Sequence, residues 1–193
     1  MMILTMLRCG VEGLKAPLII GGQTAEEGQF PWAAALFIDS AWFCSGSLIS
    51  QSFLLTAAHC ADGATYFDII LGSVDIMNPS DDRVEVTSYT ALVHPLWDPS
   101  SLANDIALIQ LPTPLQLTDL VAPVCLPVGG DQVQEGDLLT VLGWGQRSDS
   151  GTVREGQVTG GDSSSIVNII VIIVIVITTI IIIIVIMIII IIM

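Results

Sequence analysis

Between Ala33 and Leu111 the chain is cut into apolar runs too short to be helices, and this punctuation restricts its fold more than any other feature. The runs are Ala33–Ile38, Trp42–Cys44, Ser47–Ile49, Tyr66–Leu71, Val84–Val93 and Ile106–Leu111, separated by Gly, Pro, Asp, Asn and Ser. Short strand-like segments bounded by turn residues, with no long helical stripe among them, predict an all-β antiparallel barrel or sandwich. Pro112, Pro114, Pro123 and Pro127 then forbid a central strand or helix, so residues 112–130 are expected to link two lobes. Asp137–Trp144, with Leu138–Leu142 at its centre, is one more strand candidate, in a second lobe that begins over residues 131–147. A polar Gly/Ser/Asp linker over 148–165 follows, and residues 1–18, broken by Gly10, Gly13 and Pro17, read as an exposed leader.

Composition has to be divided before it informs. The chain is 52% hydrophobic over 193 residues, but the excess lies after Ile166. Residues 166–193 hold eighteen Ile, five Val, two Met, two Thr and one Asn. That length suffices to span a bilayer, and membrane insertion through 166–193 is one reading. Against it, the segment has no Leu, Phe, Ala, Gly or interfacial aromatic, and no basic residue follows Arg154. Every residue type in it is encoded by a triplet one nucleotide from an isoleucine codon. The favoured expectation is therefore translation through a trinucleotide repeat, giving a strand-prone, low-complexity Ile/Val tail.

The remaining composition excludes some partners. Nineteen acidic and five basic side chains give a formal charge of -14, a field that repels phosphate backbones, so no nucleic-acid partner is expected. Cys9, Cys44, Cys60 and Cys125 lack the paired close spacing of a zinc site. Their even number fits two disulfides formed in an oxidising compartment, with three connectivities open. No metal or cofactor is expected. Met1–Leu7, followed by Arg8, is at or below the minimum for a signal-peptide core and has no small-residue cleavage site.

Two residues carry the chemistry. His59 stands at the end of an apolar run in Leu54-Leu55-Thr56-Ala57-Ala58-His59-Cys60, and Asp105 precedes an alternating run in Asn104-Asp105-Ile106-Ala107-Leu108. Taken singly, one could be a buried structural histidine and the other half of a turn. Together they form a unit: a carboxylate accepting the proton of one ring nitrogen fixes the tautomer and leaves the other nitrogen as a general base.

Ile19-Ile20-Gly21-Gly22, Gly28-Gln29-Phe30-Pro31-Trp32, Thr56-Ala57-Ala58-His59-Cys60, Asn104-Asp105-Ile106-Ala107-Leu108 and Gly143-Trp144-Gly145 occur in this order. With them the chain resembles the trypsin/chymotrypsin family of serine proteases over residues 19–147. Phe37-Ile38-Asp39 and the Gly143–Ser150 stretch look most like the arthropod chymotrypsin-like and brachyurin-type enzymes. The resemblance implies a chymotrypsin-like double β-barrel, with the first barrel (19–111) complete and the second only begun. It also implies His59 as general base, Asp105 as its orienter, Ile19 as the terminus freed on zymogen activation, and protein or peptide substrates. It pairs Cys44 with Cys60 and Cys9 with Cys125. The first bridge closes a short loop around the base and, on the chain-entropy account, contributes about 3 kcal/mol.

The chain also departs from the family pattern. Leu18 precedes Ile19 where many relatives carry Arg or Lys, so a trypsin-like activator would have to use Lys15 or another site. Ser45 replaces the first of two glycines that usually follow the cysteine, leaving Gly46. Asp75, Asp81 and Asp82 cluster in the loop matching a calcium site, and are read as a solvated acidic turn. Most important, the nucleophile of the family lies in a Gly-Asp-Ser-Gly-Gly-like loop roughly fifty residues past Gly-Trp-Gly. Gly161-Asp162-Ser163 copies three letters of it but follows Gly145 too closely and lacks the glycines, so Ser163 is not expected to be the nucleophile. The expected function is a secreted serine endopeptidase lineage, with this chain itself inactive. A membrane-tethered, noncatalytic homologue that binds proteins is the alternative.

Overall fold

The computed structural model describes residues 9–10, 23–78, 81–127, 141–144 and 159–161. Ten strands and one helical turn are present among them: β1 (Gln23–Thr24), β2 (Ala33–Ile38), β3 (Trp42–Ser50), β4 (Phe53–Thr56), α1 (Ala58–Ala61), β5 (Phe67–Leu71), β6 (Val84–Ser88), β7 (Thr90–Val93), β8 (Ala107–Gln110), β9 (Val141–Gly143) and β10 (Thr159–Gly161). The all-β expectation is met. Trp42–Cys44 and Ser47–Ile49 merge into one strand, because Gly46 lets β3 run without a break. A Cβ there would sit 3.1 Å from the Leu55 carbonyl oxygen and 3.3 Å from Leu36 Cδ1. Conversely, Val84–Val93 divides at Tyr89.

Seven strands form one antiparallel sheet in the order β6-β5-β2-β3-β4-β8-β7. Its two outer strands are neighbours in the chain, joined by Tyr89 alone, so the sheet curls until its ends meet through the backbone. Ser88, almost fully buried, secures that corner. Its hydroxyl donates to the Gln110 carbonyl at 2.6 Å and accepts the Thr90 N–H at 3.2 Å, joining the end of β6 to β8. A sheet curled in this way leaves little free edge for another chain to pair with.

The interior follows the period of two. Phe67, Ile69 and Leu71 of β5 point inward while Asp68 and Ile70 are half-buried, and Leu36, Leu48, Leu54 and Ile109 join them from the neighbouring strands. Each such aliphatic or aromatic side chain contributes about 1.5–3 kcal/mol by leaving water. The β2–β3 turn places Asp39 and Ser40 at positive φ. Asp39 compensates by accepting the Tyr66 N–H at 3.1 Å, the Thr65 N–H at 3.0 Å and the Thr65 hydroxyl. These bonds, the Thr65 hydroxyl above all, hold its carboxyl below the usual range.

Residues 112–127 contain no strand or helix, as their prolines require, yet they lie along the sheet. The Leu115 N–H donates to the Gln51 carbonyl (2.8 Å) and the Val124 N–H to the Leu48 carbonyl (2.9 Å), while Leu115 and Val121 are buried. Cys125 at the end of this strap is bonded to Cys9. A second, three-stranded sheet has the order β1-β10-β9. Gln23–Thr24 thus pairs outside the large sheet, although it falls in the stretch expected to form the first barrel, and β10 lies inside the stretch expected to be a polar linker. Trp144 seats this sheet on the outer face of β2: it packs with Ala25 and Ala35, and its indole N–H donates to the Val74 carbonyl at 2.9 Å. No helix among the described residues is long and apolar enough to cross a membrane, and the 166–193 tail lies outside them.

Candidate active site

β4 delivers His59. Leu54, Leu55 and Thr56 are buried, and the Thr56 hydroxyl donates to the Ser45 carbonyl at 3.0 Å, pinning the strand end against β3. The chain then enters α1, a single turn in which Ala58, Cys60 and Ala61 face inward and His59 faces out. His59 therefore stands on a helical turn just past the strand. Cys60 is bonded to Cys44 of β3, so the turn is tied covalently to the sheet on one side of the imidazole.

Asp105 arrives from the opposite direction, ahead of β8. Its loop is shaped by Asn104, whose φ of 58° lies in the left-handed region that Asn tolerates better than most residues. The Asn104 side-chain amide donates to the Leu96 carbonyl at 2.8 Å, and the Ile106 N–H returns to the Asn104 carbonyl at 2.8 Å, a tight three-residue turn centred on Asp105. A further tie spans the two halves: the Trp97 indole N–H donates to Asp62 Oδ2, immediately after α1, at 3.1 Å.

Both oxygens of Asp105 hold His59. Oδ2 is 2.7 Å from ring Nδ1, and Oδ1 accepts the His59 backbone N–H at 2.8 Å. The two contacts fix the ring's position and the proton's. With a carboxylate as acceptor, Nδ1 carries the hydrogen and Nε2 presents a lone pair. The imidazole is 45% exposed and the carboxylate 24%, so the free nitrogen is open to an incoming group. The arrangement can take a proton at Nε2 and stabilise the resulting cation at Nδ1.

A match to the trypsin family model covers residues 19–175. The chain belongs to the trypsin family of serine proteases. It is similar to brachyurin of Leptuca pugilator, with 44% identity over 132 residues, 68% of this chain and 58% of that protein. It is also similar to vitamin K-dependent protein C of Mus musculus, with 38% identity over 138 residues, 69% of this chain and 30% of that protein. The chain thus spans less than two thirds of either relative.

The structure of this trypsin-family chain brings His59, Asp105, Cys44 and Cys60 together and bonds Cys9 to Cys125 away from them. Ile19, Lys15, Leu18 and Ser163 lie outside the described residues. Asp75 accepts the Asn78 and Met77 N–H groups, both at 3.0 Å, which makes it the anchor of a turn and lowers its pKa. Sequence reasoning missed Asn104, Asp62 and Trp97 as supports. Only the first left a signal, an Asn directly before Asp105.

Proposed function

We propose that this chain represents a serine endopeptidase lineage in which His59 is the general base and Asp105 its orienter, acting on protein or peptide substrates in an extracellular, oxidising setting. The observation that carries the reading is the double grip of Asp105, one oxygen on the ring at 2.7 Å and the other on the amide of the same residue at 2.8 Å. A carboxylate serving only a turn has no reason to orient an exposed imidazole. In the chemistry of the family, a serine hydroxyl attacks the scissile carbonyl while the base at Nε2 takes its proton and later returns it to the leaving amine. Backbone amides near the nucleophile hold the oxyanion.

His59 and Asp105 supply only the base and orienter. The sequence has no Gly-Asp-Ser-Gly-Gly loop, and Ser163 is followed by Ser164 and Ser165. We therefore propose that the 193-residue chain does not itself hydrolyse peptides. Purified chain should show no amidase activity above buffer, and an activity abolished by Ser163→Ala would overturn this. The lineage reading has its own test. Residues 1–145 joined to the part of brachyurin that follows the position aligned with Gly145, and cleaved before Ile19, should hydrolyse peptides, and His59→Ala should reduce kcat by at least about a thousandfold. A chimera equally active without His59 would refute its role as base.

A further inference from the structure

The Cys44–Cys60 bridge and His59 form a cluster that the proteolytic reading uses only as scaffold. The two sulfurs and a ring nitrogen of His59 lie within 4.8 Å of one another. We infer that reduction of this bridge converts the corner into a binding site for a thiophilic divalent cation such as Zn²⁺, with the thiolates of Cys44 and Cys60 and the imidazole of His59 as ligands. The site would be gated by redox state, and it does not depend on whether the chain hydrolyses peptides.

Geometry favours it. Zinc binds thiolate sulfur at about 2.3 Å and imidazole nitrogen at about 2.0 Å, which in a tetrahedron places ligand atoms about 3.6–3.8 Å apart. The three donor atoms already lie within 4.8 Å, and breaking the sulfur–sulfur bond lets the two sulfurs separate toward the tetrahedral spacing. Without the bridge the ligands still sit on held elements, Cys44 in β3 by its ladders to β2 and β4 and the adjacent His59 and Cys60 in α1 by the bond from the His59 N–H to Asp105, with the cysteine Cα atoms 6.4 Å apart. Asp105 also supplies what a metal-bound histidine ordinarily requires, a carboxylate on the other ring nitrogen. That contact reserves Nδ1 and leaves Nε2 for the ion. Since the imidazole is 45% exposed, the ion can enter from solvent and keep water in its fourth position.

The chemistry balances. A dithiol reductant passes two electrons and two protons to the Cys44–Cys60 disulfide and becomes a disulfide itself. The ion then displaces the two thiol protons to solvent. Metal at Nε2 occupies the lone pair a base needs, so the metal-bound and base-competent forms exclude each other.

The test uses the full chain, reduced with dithiothreitol, freed of reductant without oxygen, and titrated with Co²⁺ followed by competing Zn²⁺. One Co²⁺ should bind with thiolate-to-cobalt charge-transfer absorption and tetrahedral ligand-field bands, and the oxidised chain should show neither. Cys44→Ser should abolish the signal, whereas Cys9→Ser should leave it unchanged. His59→Ala should weaken binding by at least about tenfold, and Asp105→Asn by about 10–100-fold, the usual effect of losing the partner of a metal-bound histidine. Absence of the charge-transfer band overturns the proposal. So does an affinity indifferent to His59→Ala and Asp105→Asn, which is how an unfolded dithiol would behave.

Discussion

The two histidines of this chain lie on either side of the Asp105 loop and meet opposite fates. His59 is 45% exposed with its amide and its ring both held by one carboxylate. His94 is 6% exposed at the end of β7, where its backbone N–H donates to the carbonyl of Ile106, the residue after Asp105. Its Nδ1 accepts the Leu96 N–H at 3.1 Å, so the proton lies on Nε2, which is buried and finds no acceptor among the described residues. One ring is presented to solvent by a charge; the other is spent on closing a turn. A histidine becomes a candidate base when its environment stabilises the cation and leaves a lone pair accessible, and only the first environment does both.

The sharpest way to break this contrast is activity in the brachyurin chimera. Asp105→Asn should lower kcat by about 10⁴-fold, a magnitude taken from the family because it cannot be read from distances, since the amide favours the wrong tautomer of His59. His94→Ala, which touches neither ring nitrogen of His59, should cost no more than the folded fraction it removes. If both substitutions reduced kcat equally in folded protein, the division of roles would collapse.

Stability should show the reverse ranking. His94→Ala removes a buried ring and leaves the Leu96 amide without its acceptor, offset in part by loss of the unpartnered Nε2 hydrogen, for a net cost of about 2–3 kcal/mol. His59→Ala removes an exposed side chain and should fall within about 0.5 kcal/mol of the parent. Urea denaturation of the two variants checks the ranking, and a larger loss at His59 would contradict it. Asn104→Ala should lie between them at about 1–2 kcal/mol, because alanine resists the left-handed φ of 58°. Asn104→Gly, free of that resistance, should recover most of the loss. If it did not, the amide bond to Leu96 would be the larger contribution.

The contrast also accounts for what could be read before the structure. The strands were legible because alternation and turn residues are local properties: Ala33–Ile38 is β2 to the residue, and Phe67–Leu71 differs from its expected run by one position. The pairing of His59 with Asp105 was legible because their flanking residues carry a family pattern. The burial of His94 was not, since nothing in His94-Pro95 says whether a ring is buried, and burial is decided by packing between residues distant in the chain. The bend at Tyr89 was hidden for the same reason: the run from Val84 to Val93 is uniformly strand-prone, and only pairing with two different partners divides it. The union of Cys44, Cys60 and His59 into one donor set depends on how a strand and a helical turn pack, which spacing along the chain does not reveal.

The smallest expected effect concerns the loop between His94 and Asp105. Asp98 accepts the Ser100 hydroxyl at 2.6 Å, the Ser101 hydroxyl at 2.6 Å and the Ser100 N–H at 2.9 Å, while its own N–H donates to the Ala103 carbonyl at 3.1 Å. Chiefly through the Ser100 and Ser101 hydroxyls, its pKa is lowered from 3.8 to about 2. A carboxylate with a depressed folded-state pKa stabilises the folded loop fully above its ordinary value. That contribution fades as pH falls from about 3.8 and is lost on passing about 2. Because Asp98 is fully exposed, the loss should loosen this loop without unfolding the sheet. Following the Ser100 amide by NMR through that window should show a midpoint near 2 in the parent and no titration in Asp98→Asn. A midpoint at the ordinary 3.8 would mean that the serines do not hold the carboxylate.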